Sequence, residues 1–362
     1  MPKFIPGLEL NQGFFFDVVD PLMKEHFPRL QYSAGLVGHG SDVIGFDSKT
    51  SVDHDWGPRV HMFFSNLDFV AHKKEVDDML RKNLPYEYRG FPTHFEEGDR
   101  YRKHIPRLKK SGEVNHLFEF WTFQSFFKHY LGFDVHKKPT IRDWLLFPQQ
   151  ALIEITHGNL FRDDLNLQKI RQEFYYYPDD IWKYMMQSQW ARIIDEFQMQ
   201  ARAGEEGDVL GSRVITARAI HNIVFMCFLL ERKYVPYAKW RTKTFAERLE
   251  SGRKLHPKLM RILNETDWKK RQRMLARCYQ ALAKMHNNLR IMEPVSTDII
   301  DYYGRGYAVI DAWKIFFGLE GTIRNQKLRN MKYPIGSIDQ FIDHVRINHM
   351  DYVYWELKDV IQ

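Results

Sequence analysis

Cysteine is scarce: 362 residues hold two, Cys227 and Cys278. They show no metal-ligand spacing and no disulfide framework, which argues against a thiolate zinc site and a disulfide-stapled secreted fold. Both fall in helix-like segments and read as small buried thiols. Long apolar runs are missing too. None approaches the ~20 residues needed to cross a bilayer. The longest, "IVFMCFLL", reads as part of a buried helix. The opening "MPKFIPGLEL" lacks the charged-then-apolar pattern of a leader, so the expectation is a cytoplasmic protein with no membrane partner. The sixteen histidines form no ligand cluster, and no H-x-x-x-H pair accompanies a general base. Internal repeats and low-complexity tracts are absent.

What is present is globular. The chain is 44% hydrophobic with many aromatics and is too long for one ordinary core. A net charge of +7 is compatible with an anionic partner such as a nucleotide or RNA, and many proteins are mildly basic without one. Periodicity predicts an α+β chain. A helix spans 10–28 with a break near Pro21. "YSAGLVG", "RVHMFF", "YEYRGFP" and "EVNHLFEFWTF" read as strands. Residues 67–85, closed by Pro85, read as an amphipathic helix with a stripe through Phe69, Val70, Val76, Met79 and Leu80. Residues 96–112 read as a basic loop. From about 124 onward the signal is helical. The expected plan is a mixed-sheet domain over 1–138 and a larger helical domain over 139–362, with a subdivision near 294.

The densest chemistry lies in "LVGHGSDVIGFDSKTSVDHDWGPRVHMFF". Taken as extended, "VDHDWGPRVHMFF" puts Asp53, Asp55, Arg59 and His61 on one polar face. Pro58 tells against a central strand there. Carboxylates at i and i+2 of a strand have Cα atoms about 6.5 to 7 Å apart and can converge on one point. A divalent cation removes their repulsion, and Mg²⁺ suits such ligands because it takes the rest of its shell from water and substrate phosphates. Upstream, "GHGSD" offers glycines that let backbone amides approach a ligand. If a helix begins at Ser41 or Asp42, its free amides and hydroxyl can hold a phosphate. The pairing suits phosphoryl or nucleotidyl transfer.

"GS", eleven residues and then "DHD" resembles the signature of the DNA polymerase β-like nucleotidyltransferase superfamily. More narrowly the chain looks like a bacterial family in it known only as a domain of unknown function. The resembling stretches are "GSDVIGFDSKTSVDHDWGPR", "LGSRVITARAIHNIVFMCFLLERKYVPYAKW" and "YPIGSIDQF". The resemblance implies a mixed-sheet nucleotidyltransferase core with a C-terminal helical domain. It places Gly40 and Ser41 at the triphosphate of an NTP, with ATP the expected co-substrate, and Asp53 and Asp55 on Mg²⁺. A third carboxylate is usual in the superfamily. Glu119 is the choice here, since an acid inside an aromatic, strand-like run needs a reason; Glu87, Glu96, Glu97 and Asp99 compete. Lys239 and, more weakly, Arg213 are candidate phosphate contacts, as is Arg59.

Each assignment has a plainer reading. Asp53 and Asp55 fit a solvated strand start that caps a turn, Glu119 a solvent-facing strand position, Arg59 an ion pair, and Lys239 a surface lysine beside Trp240. Asp42 and Asp47 read as caps, Gly211–Ser212 as a helix N-cap, and the basic stretch 100–110 as a solvated loop. The leading expectation is a Mg²⁺-dependent nucleotidyltransferase. It moves an NMP, AMP in the first instance, to a hydroxyl on a small molecule, protein or RNA. The rivals are a non-catalytic nucleotide-binding protein on the same fold and a metal-dependent phosphohydrolase, which wants more histidine ligands.

Overall fold

The computed structural model describes residues 2–98, 103–330 and 334–341. The chain is α+β and divides into two compact units. The first runs through Lys138 and takes back Ala151–Tyr175. The second holds Pro139–Gln150 and the described chain from Tyr176 on. A single passage at 138 does not anticipate that return. It is explained by a strand that the helical reading of this region overlooks.

In the first unit a four-stranded mixed sheet has the order β7-β2-β1-β8. These are β1 (Ser33–Leu36), β2 (His61–Phe63), β7 (Glu119–Trp121) and β8 (Asn159–Asp163). β1 lies antiparallel to β2, with Gly35 opposite His61, and antiparallel to β8 with a register shift at Ala34/Gly35. β7 runs parallel to β2, with Glu119 opposite His61. "NLFRD" is short and sits between helical segments, so its pairing with β1 makes it a strand, not its own pattern.

Short ladders lie between β2 and β7. β3 (Glu87–Tyr88) and β4 (Phe91–Pro92) form a hairpin. Its two-residue loop, Arg89–Gly90, has φ of 50° and 86°, as a primed turn requires. β5 (His94–Glu97) pairs with β6 (His104–Arg107), so much of the expected loop 96–112 is a second antiparallel pair. Asp99 and residues 100–102 lie outside the described residues.

One side of the sheet packs Ala34, Met62 and Phe64 against Leu10, Phe14 and Phe15 from the N-terminal helices and Val76 and Leu80 from the helix Asn66–Asn83. That helix departs from the expected stripe. Val70 is 86% exposed because it lies about 100° around the helix from Phe69, away from the arc through Val76 and Leu80. At the N-terminus the helix does not break at Pro21. Gly7–Phe14 passes through a widened turn, Phe15–Val19, into Asp20–His26. A proline ring meets the carbonyl four residues back, and Pro21 follows the widened turn in the first turn of the next segment, where its missing N–H is tolerated.

The second unit is helical, with a small hairpin of β9 (Ile299–Asp301) and β10 (Ala308–Ile310). Its longest helix, Val209–Leu230, is long and apolar enough to cross a membrane, but 61% of its most apolar window is buried in the protein and Ile223–Leu230 is core. Its N-cap is Asp208, whose carboxylate accepts the Gly211 N–H. Ser212, expected at the cap, is buried inside the helix, where its hydroxyl donates to Gln200 O and accepts from Arg271. Cys227 and Cys278 are free and buried, and burial pushes their thiols up to about 12 and about 11. Within the stretches expected to be helical beyond 294, residues 331–333 and 342–362 lie outside the described residues.

Candidate functional site

β1 ends at Leu36 and the chain turns through Gly38, His39, Gly40 and Ser41. Gly38 and Gly40 have φ of 82° and 139°, and side chains there would collide with the Tyr130 hydroxyl and with the carboxylate of Asp42. Two anchors come from elsewhere in the fold. The Gly38 N–H donates to Glu154 O (2.8 Å) and the His39 N–H to Tyr130 Oη (3.1 Å). From the β2 side, Arg59 Nη2 donates to His39 O (3.0 Å) and to both Asp42 oxygens (2.8 and 3.0 Å).

Arg59 and Asp42 are both buried. Burial works against the charged guanidinium, but Asp42, helped by Glu119, outweighs it and holds Arg59 above the ordinary arginine range. Arg59 is therefore a clamp on the turn: its charge is matched by Asp42 and is not presented to a phosphate. Asp47 does not cap the 3₁₀ helix that follows it, whose N-cap is Ser48; it accepts the N–H of Gly7 (2.7 Å) and the indole N–H of Trp56 (3.0 Å).

No helix begins at Ser41 or Asp42. Residues 41–45 form a turn closed by Phe46 N–H to Ser41 O (2.7 Å). The next regular element is a 3₁₀ helix, Lys49–Asp53. Ser41 Oγ lies 3.4 Å from Ser51 Oγ, which sets the turn beside the element that ends in Asp53. Among the described residues, the N–H groups of Gly40, Ser41 and Asp42 donate to no protein acceptor.

The two aspartates are not on a strand. Asp53 closes the 3₁₀ helix, and Asp55 has φ of 49°. β2 starts only at His61, beyond Gly57 and Pro58, so the shared face of Asp53, Asp55, Arg59 and His61 does not form. Both acids are exposed, at 65% and 46% of the side chain, and each meets a histidine through Oδ1. Asp53 lies 2.9 Å from His54 Nδ1. Asp55 accepts the His104 N–H (2.8 Å) and lies 2.9 Å from its Nδ1.

Glu119 does not join them. It sits opposite His61, 3.7 Å from Nε2, on the edge strand β7. His61 is fully buried, and neither ring nitrogen has a hydrogen-bond partner among the described residues. Burial lowers its pKa, with Glu119 opposing and Arg59 adding to the shift. No three His, Cys, Asp or Glu residues gather as a metal-ligand group among the described residues. Asp53 and Asp55 are both hard donors, solvent-facing and separated by one residue, and their histidine contacts use Oδ1 alone. Lys239 and Arg213 belong to the second unit. Both are exposed, and the Lys239 ammonium lies 4.7 Å over the Trp240 ring.

Sequence reasoning missed one pair. Glu154 is buried, and its Oε1 lies 3.3 Å from Nδ1 of His39, whose side chain is 59% exposed. A buried carboxylate thus orients a solvent-facing imidazole on the glycine turn itself. The signal was present: Glu154 is an acid inside the apolar run "ALIEITHG", the same anomaly that drew attention to Glu119.

The scaffold is an α+β protein whose mixed sheet carries a glycine-serine turn beside an exposed acid pair. Residues 144–241 match the model of a family described as Domain of unknown function (DUF4037). The chain is also similar to a crystal structure of a nucleotidyltransferase-like protein from Exiguobacterium sibiricum, at 11% identity over 76% of this chain and 78% of that one. The TM-score is 0.32, a likeness too distant to carry an argument about chemistry. No curated protein matches the sequence.

Proposed function

We propose that this chain is a nucleotidyltransferase that moves an NMP, with ATP the first donor to test, from an NTP to a hydroxyl-bearing acceptor. The observation that carries the reading is the set of three successive N–H groups, Gly40, Ser41 and Asp42, without acceptors among the described residues, on a turn held against the 3₁₀ helix that ends in Asp53. Such N–H groups bind anionic oxygen well. The Asp42 carboxylate does not repel that anion strongly, because Arg59 neutralises it. Asp53 and Asp55 would hold Mg²⁺, which supplies charge neutralisation and orientation of the triphosphate when bound. The turn amides grip the terminal phosphates. His39, oriented by Glu154, would take the acceptor proton as the hydroxyl attacks the α-phosphate and the bond to pyrophosphate breaks.

A second reading, nucleotide binding without transfer, is favoured by the position of Glu119 against His61 and by the lack, among the described residues, of a third ligand gathered with the acid pair. One assay separates them. With α-labelled NTP, Mg²⁺ and a cell extract, the wild-type protein should pass label to an acceptor. Asp53→Ala combined with Asp55→Ala should abolish transfer while thermal stability is kept. Equal transfer by the double variant refutes the site; NTP binding with no transfer by the wild type selects the second reading.

A further inference from the structure

The first unit contains a cavity of about 440 Å³ that the transfer reading does not use. That volume lies within the range of small-molecule sites. Its described walls are mostly carbon. Trp56 stacks on Phe4 (ring centroids 5.8 Å) and meets Phe91 edge to face (5.1 Å), and both partners also line the cavity. The indole N–H of Trp56 is held by Asp47, so the ring cannot swing to fill the space. Pro92 and Pro106 come from β4 and β6, elements tied into hairpins. Among the described residues, Lys49 is the one charged residue on the lining, and it is exposed. Val52, also on the lining, and Trp56 flank Asp53–Asp55 along the chain.

We infer that this cavity binds a planar aromatic ring bearing an anionic substituent, with the ring among Trp56, Phe91 and the prolines and the anion at Lys49. Preformed aromatic and proline walls lose little freedom on binding and favour a flat ring over a flexible chain. A single cation at an otherwise apolar wall favours one negative group. Two sources share that chemistry, the base of a nucleotide and a ring-bearing acceptor. Only the choice between them rests on the transfer reading.

Isothermal titration of the full chain with two probe pairs tests it: AMP against adenosine, and indole-3-acetate against indole. At least one anionic probe should bind the wild type. Val52→Trp, which fills the cavity, should weaken that probe about tenfold or more, and Lys49→Gln about fivefold while leaving its uncharged parent unchanged. Pro106→Phe fills the space from the opposite hairpin and serves if Val52→Trp fails to fold. Binding of AMP alone assigns the ring to a nucleotide; binding of indole-3-acetate alone assigns it to an acceptor. No binding by either, or undiminished binding to both folded filling variants, overturns the inference. The Asp53→Ala, Asp55→Ala double variant should keep probe binding, so loss of transfer and loss of the ring site are separable.

Discussion

Arg59 illustrates how far a residue's role depends on its partner. From sequence it is a cation two pleats from Asp55 and a candidate for phosphate. In the fold it is buried against Asp42 and holds the glycine turn through the carbonyl of His39. Removing one member of such a pair leaves a charge with neither water nor a partner, at a cost of roughly 3–5 kcal/mol. Arg59→Met and Asp42→Asn should each lower stability in urea unfolding by that order. Asp53→Ala, at an exposed position, should stay within about 0.5 kcal/mol. Equal effects of all three would rule out the clamp. Glu119 was legible as an anomaly, but its neighbour was not: a lone acid in an apolar run announces that a partner exists and does not say which.

At the scale of elements, local patterns served best where one face of a helix or strand is buried. β1, β2 and the helix Asn66–Asn83 follow from apolar periodicity. The reading failed where two signals competed. In "VDHDWGPRVHMFF" alternation suggested one long strand, yet Gly57–Pro58 delays the strand to His61 and leaves Asp53 at the end of a 3₁₀ helix and Asp55 in a bend. The start of Val209–Leu230 is a second case, with Asp208 and Ser212 both suited to a cap. Asp208→Ala should cost about 1 kcal/mol, the usual worth of an N-cap. Ser212→Ala removes the buried acceptor of Arg271 and should cost more, roughly 1–3 kcal/mol. Chemical denaturation of the two variants checks the order, and a larger loss at Asp208 would return the cap to first importance.

Over the whole molecule, two buried histidines contribute to the response to acid. Burial lowers His286 in the second unit to about 4, and His116 in the first to about 4 despite Asp77 opposing the shift. The unfolded chain titrates these rings near 6.5, so as pH falls it takes up protons before the folded protein does. Stability should be full above pH about 6.5 and decline toward pH about 4, with His286 contributing on the order of 3 kcal/mol across that window. Melting temperature against pH should show the decline, and His286→Leu should make it shallower; an unchanged slope would remove His286 as a cause. What the sequence by itself determined was the type of most elements, the buried run Ile223–Leu230, the burial of both cysteines and the oddity of the turn and acid stretch. These depend on residues a few positions apart, where backbone geometry turns spacing into a shared face. The tertiary structure alone decided that Asp55 meets His104, that Arg59 closes on Asp42, that Glu154 orients His39 and that "NLFRD" is a strand. Those contacts join side chains or strands far apart along the chain, and only the closing of the sheet chooses among the many partners that charge and polarity would allow.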